Sequence, residues 1–115
     1  MDYDQVMMLA DEYEEALADE LQAKWLLDDF RARILETEGC ILGLAYKSGR
    51  IDGKNADARK RQELAVLLGD EGLEELKRTL PVYEASAMRA EVRRKAADTH
   101  VSLTKAWLFS QCRVG

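Results

Sequence analysis

Apolar residues return every three or four positions along the last third of this chain. Leu73, Leu76, Leu80, Tyr83, Ala87, Ala90, Ala97, Val101, Thr104 and Leu108 share one unbroken spacing, and Arg94 is its only charged occupant. Such a seam drifts slowly around an α-helix, so it marks a long helix that packs lengthwise against others. In the first half, Val6, Ala10, Tyr13, Leu17, Leu21, Trp25, Ala32, Leu35, Leu42 and Tyr46 return to one side of a second long helix. No proline interrupts that stretch. Gly39 and Gly43 each weaken it by about 1 kcal/mol relative to alanine, and Gly49 suits a left-handed stop. The pattern predicts a helix over residues 3–48, roughly 65–70 Å long, with Asp2 or Asp4 at its N-cap.

Gly49-Arg50-Ile51-Asp52-Gly53-Lys54 is a loop by its glycines and charges. Asn55 then caps a short helix, 55–68, which ends at Gly69. The spacing gives it an apolar face of Ala58, Leu64, Ala65 and Leu68, opposite Arg59, Lys60, Arg61 and Glu63. Asp70 caps a last helix, 70–111. Pro81 inside it costs ~3 kcal/mol in a helix interior and removes a hydrogen bond. Either the helix kinks there, or it breaks and restarts with Thr79 as cap. The seam continues across Pro81 without a slip, which favours the kink.

These elements predict one all-α domain over residues 1–115: a long helical hairpin with a short crossing helix and coiled-coil-like packing. The stripes are wider than one neighbour covers, so the expected core is completed by oligomerisation. Leu73, Leu76, Leu80, Tyr83, Val101 and Leu108, with Trp25 and Trp107 as large anchors, form the expected interface between copies.

Composition agrees with helices. Of 115 residues, 47% are hydrophobic and 34% charged, with a single proline, which leaves little turn chemistry for an all-β fold. The longest apolar run, Cys40 to Tyr46, is far short of the ~20 residues a membrane span needs. The acidic start Met1-Asp2-Tyr3-Asp4 lacks a signal peptide's features. A cytosolic protein is expected, with Cys40 and Cys112 as free, half-buried thiols.

The net charge of −5 conceals an asymmetry. Residues 1–46 carry 12 acids against 3 bases, net −9, and residues 47–115 carry 10 acids against 14 bases, net +4. Either the halves attract each other in the fold, or the basic half faces an anionic partner. Mutual attraction is the simpler expectation.

Catalytic chemistry finds no support. His100, the only histidine, has Ala97 where a carboxylate bundle needs glutamate, and the two cysteines lack zinc-site spacing. Glu14-Glu15 opens a magnesium-binding pattern that Ala18 breaks. There is no nucleophile elbow and no phosphate loop. The chain is therefore expected to be no enzyme, with no cofactor and no metal. Its basic residues offer more. Arg50, Lys54, Arg59, Lys60 and Arg61 cluster on the loop and short helix, and Arg89 and Arg93 recur four apart on the last helix. Rows of this kind neutralise phosphates without reading sequence.

Two stretches carry a family resemblance. Gly49-Arg50-Ile51-Asp52-Gly53-Lys54-Asn55-Ala56-Asp57-Ala58-Arg59-Lys60-Arg61-Gln62 resembles the middle of small helical proteins of bacteriophages and prophages, and Lys105-Ala106-Trp107-Leu108-Phe109-Ser110-Gln111 resembles their ending. Pro81 and the acidic first helix depart from that pattern. The resemblance implies an accessory factor of the kind encoded near phage replication and recombination genes, with no catalytic residues to carry over. The first expectation is a non-enzymatic helical oligomer that contacts a recombination or replication protein, or single-stranded DNA, through Arg50, Lys54, Arg59, Lys60 and Arg61. The alternative is a phage inhibitor of a bacterial defence system. It would act by binding a protein, by mimicking DNA with carboxylates such as Asp11, Glu15 and Asp19, or by sequestering a nucleotide signal.

Overall fold

The computed structural model describes residues 2–114, and side chains over residues 2–112. It contains three helices: α1 (Tyr3–Lys47), α2 (Ala56–Leu68) and α3 (Glu71–Val114), with no strand among the described residues. The starts follow local chemistry. Asp2 accepts from the Gln5 N–H at 2.9 Å while the Gln5 side chain accepts from the Asp2 N–H at 3.0 Å, a reciprocal cap. Asn55 accepts from the Ala58 N–H at 2.8 Å, and Asp70 from the Leu73 N–H at 2.9 Å. Each satisfies a donor that the first helical turn leaves without a partner. α1 ends at Gly49, whose φ of 79° only glycine adopts without strain.

α3 runs through Pro81 without a break, so the restart at Thr79 does not occur. An unbroken apolar seam on both sides of the proline outweighs one lost backbone bond. Every residue of the expected α3 seam, Arg94 included, is buried or half-buried.

α1 corrects the sequence reading in part. Leu21, Trp25, Ala32, Leu35 and Tyr46 are exposed, and Ala16, Glu20, Leu27, Phe30, Ile34 and Ala45 are buried. The buried track repeats every seven residues, through Tyr13, Glu20, Leu27, Ile34 and Ile41. The expected stripe took successive four-residue steps from Tyr13 to Trp25, and each step rotates about 40° around the helix. It therefore slid from the buried track onto a second, outward one.

The chain divides into two compact units, residues 1–26 with 84–115, and residues 27–83. In the first, α1 and α3 segments run antiparallel. Arg93 reaches Asp19 at 2.6 Å and Glu15 at 3.5 Å, Arg94 reaches Glu20, and Glu91 reaches Lys24 at 3.9 Å. Among its described residues Ala16, Ala87 and Ala97 are the buried apolar ones, with Glu20 as a buried carboxylate.

The second unit holds the larger side chains. Phe30, Ile34 and Leu73 form one cluster, with Ile41, Leu67, Leu76, Leu80 and Tyr83 against it. The Phe30 and Tyr83 rings stack with centroids 4.4 Å apart. Ala45, Ile51 and Val66 form another cluster with Ile41 and Leu42, joining α1, the loop and α2. Lys77 pairs with Glu38 at 3.0 Å, again antiparallel.

α2 does not bury the expected face. Val66 is buried, Ala58, Gln62, Glu63 and Leu67 are half-buried, and Leu64, Ala65 and Leu68 are exposed. Residues 64–68 are apolar all the way round, so spacing has no preferred side there. Polar anchors set the rotation instead: Gln62 bonds to the loop and Glu63 to Tyr46.

Candidate nucleic-acid interface

The loop after α1 is held at every turn by backbone and side-chain bonds. Arg50 and Ile51 donate their N–H groups to the Ala45 carbonyl at 2.9 and 3.3 Å. This drives the Ile51 side chain inward against Ala45 and Val66. Gln62 on α2 then clamps the other half. Its Oε1 accepts from the Asp52 and Gly53 N–H groups at 3.1 and 2.8 Å, and its Nε2 donates to Asp52 Oδ1 at 2.8 Å. A Cβ at Gly53 would lie 2.8 Å from the Ala58 Cβ and the Arg59 nitrogen, so this close crossing admits only glycine. Arg59 donates from Nη1 to the Gly53 carbonyl at 3.3 Å.

The Tyr46 hydroxyl donates to Glu63, tying the end of α1 to α2. That bond to a carboxylate, followed by partial burial, raises the tyrosine pKa. Nothing in residue spacing announces Gln62 as the organiser of this loop. Its partners lie nine and ten positions away in sequence.

On this framework Arg50, Lys54, Lys60 and Arg61 are exposed, and none bonds to an acid among the described residues. Lys60 and Arg61, with Asp57 and Leu64, border an open hollow of about 450 Å³. Arg59, expected as a binding residue, holds the loop. The two α3 arginines belong to the other unit. Arg89 there is exposed and free of an acid partner among the described residues, whereas Arg93 is committed to Asp19 and Glu15. That is a correction with a simple cause. Three acids in six residues of α1, Glu15, Asp19 and Glu20 with Glu14 beside them, face the arginines of α3, and opposite charges pair where packing brings them close. The simpler reading of the charge asymmetry holds at these contacts.

The expected interface residues divide in the same way. Leu73 is 1% exposed, and Leu76, Leu80 and Tyr83 pack on its cluster, so these four serve the chain's own core. Val101 and Leu108 are half-buried, while Trp25 and Trp107 remain exposed. Cys40 and Cys112 are free, and more exposed than expected. Among the described residues no group of acids, histidines and cysteines is arranged to hold a metal. Among the described residues no helix is long and apolar enough to cross a membrane.

The chain matches no family model, no curated protein and no solved structure.

Proposed function

We propose that this chain is a non-enzymatic helical accessory protein of bacteriophage type. In this reading it acts as a homo-oligomer in DNA recombination or replication, within the bacterial cytoplasm. Contact with single-stranded DNA, or with a recombination or replication protein, runs through Arg50, Lys54, Lys60 and Arg61. The observation carrying this reading is that these four cations stand on a tightly bonded loop and helix without acid partners. Exposed cations carried on an ordered backbone and outside any ion pair attract phosphates. Tyr46 is the aromatic side chain nearest in sequence, and its hydroxyl is engaged with Glu63. Backbone contact rather than base stacking is therefore the expected mode.

The alternative reading, an inhibitor that mimics DNA through Asp11, Glu15 and Asp19, is weaker. Arg93 neutralises two of those three carboxylates.

Fluorescence anisotropy with a labelled single-stranded oligonucleotide tests the proposal across a salt series. Affinity should fall steeply with salt, and Lys60→Gln and Arg61→Gln should each lower the slope by about 1. Absence of binding at low salt overturns the nucleic-acid reading.

A further inference from the structure

Asp52 is the one aspartate of the chain that precedes a glycine. The others lie within a helix or cap one, whereas Asp52 stands exposed in the loop between α1 and α2. The pair has a chemistry of its own. Glycine has no side chain to shield its backbone nitrogen, so that nitrogen reaches the preceding carboxyl more easily than at any other aspartyl junction. Once the Gly53 amide gives up its proton, the nitrogen can attack Asp52 Cγ. A C–N bond forms, the carboxyl group leaves an oxygen as water, and a five-membered succinimide closes. Water then opens the ring at either carbonyl. One opening restores aspartate, and the other routes the backbone through the β-carbon as isoaspartate. The water lost in the first step returns in the second, so the net change is an isomerisation.

The fold keeps this reactive pair. A Cβ at position 53 would lie 2.8 Å from the Ala58 Cβ and the Arg59 nitrogen, so no side chain fits there to slow the attack. Gln62 instead holds both reacting groups. The Gly53 N–H donates to its Oε1 at 2.8 Å, and its Nε2 donates to Asp52 Oδ1 at 2.8 Å. The Asp52 N–H shares the same oxygen at 3.1 Å. Ring closure needs the nitrogen stripped of its proton and the carboxyl carbon brought onto it. The bonds at Gly53 and at Oδ1 must break first. Ile51, buried on one side, and the Arg59 bond to the Gly53 carbonyl on the other hold the loop's ends.

We propose that Asp52-Gly53 is a site of backbone modification, conversion to isoaspartate, and that Gln62 is the residue that keeps it closed in the folded chain. The product has one more atom in its backbone, so it cannot re-form the Gln62 bonds in their present register. That extra atom falls between Arg50 and Lys54, two cations of the proposed contact surface. The chemistry itself is independent of what the loop binds.

Prolonged incubation of the full chain at neutral pH tests the proposal. Endoproteinase Asp-N cuts before aspartate and not before isoaspartate, and chromatography with mass spectrometry separates the two peptides of equal mass. The chain unfolded in guanidinium chloride supplies the unguarded rate, and Asp52→Ser should abolish the signal. Folded wild type should isomerise far more slowly than the unfolded chain. Gln62→Ala, its helicity checked by circular dichroism, should react about tenfold or more faster than wild type, because the reaction proceeds from an open loop that those bonds suppress. Gln62→Glu keeps the acceptor for both amides and loses the donor to Asp52, so its rate should fall between the two. Arg59→Ala leaves Gln62 in place and should stay near wild type. An unfolded chain that forms no isoaspartate at Asp52 overturns the site. Folded wild type as fast as the unfolded chain, or both Gln62 variants no faster than wild type, overturns the guard. Arg59→Ala as fast as Gln62→Ala assigns the protection to the loop at large and overturns the part given to Gln62.

Discussion

Arg94 donates from Nε to Glu20 Oε2 at 2.5 Å, an ion pair set into the seam between α1 and α3. Glu20 is 5% exposed and occupies the same seven-residue track as Tyr13 and Leu27. Lys24 supplies a second bond to it at 2.8 Å. The Arg94 hydrogen bond, followed by that of Lys24, holds the Glu20 carboxyl down to a pKa of about 2. The same bonds raise the pKa values of Arg94 and Lys24. An apolar pair would fit the seam in several registers, and a charged pair only in the one where both partners meet.

Acid should therefore weaken the fold through Glu20. Its folded pKa lies below the ordinary 4.5, so its contribution is complete above that value and lost as pH falls toward about 2. Glu20→Gln should unfold at lower temperature than wild type at neutral pH. The gap should narrow steadily below pH 4.5 and close near pH 2, as read by circular dichroism melts.

Removing one partner should harm more than removing both. Arg94→Leu leaves the Glu20 carboxylate in the seam without its main partner, whereas Glu20→Leu/Arg94→Leu leaves an apolar layer. Urea midpoints should rank wild type and the double variant above the single one. A single variant as stable as the double would remove the register argument.

Leu73 is the largest side chain buried outright, in contact with Phe30 and Ile34. Leu73→Ala should lower unfolding free energy by about 2–5 kcal/mol, since the cavity adds to the lost transfer term. Equilibrium urea unfolding measures this directly.

Pro81 sits on an exposed stretch inside α3 and leaves the Lys77 carbonyl without its helical donor. Pro81→Ala should stabilise the chain, by up to ~3 kcal/mol on helix propensity. A thermal midpoint above wild type is the expected outcome.

Gln62→Ala removes three hydrogen bonds that shape the loop. Each is worth ~1 kcal/mol, and their loss should free Asp52 to Lys54. Amide exchange at Asp52 and Gly53 should accelerate strongly, while the helical ellipticity of α1 and α3 is retained. If those amides stay protected, Gln62 is not the clamp.

Much of this architecture follows from positions close together in the chain. The caps at Asn55 and Asp70 and the stop at Gly49 depend on bonds and angles spanning three or four residues. The α3 seam was readable for the same reason. A seven-residue repeat holds its phase within one helix whatever packs on it, even through Pro81. Which of α1's two tracks turns inward is another matter. Trp25 and Leu35 are as apolar as Leu27 and Ile34, and only the surface offered by α3 and α2 separates them. The commitment of Arg93 to Asp19, the rotation of α2 and the role of Gln62 have the same origin. Arg93 and Asp19 stand 74 positions apart. Charge and hydrophobicity state what each residue can bind, and the meeting of distant surfaces selects which partner it takes.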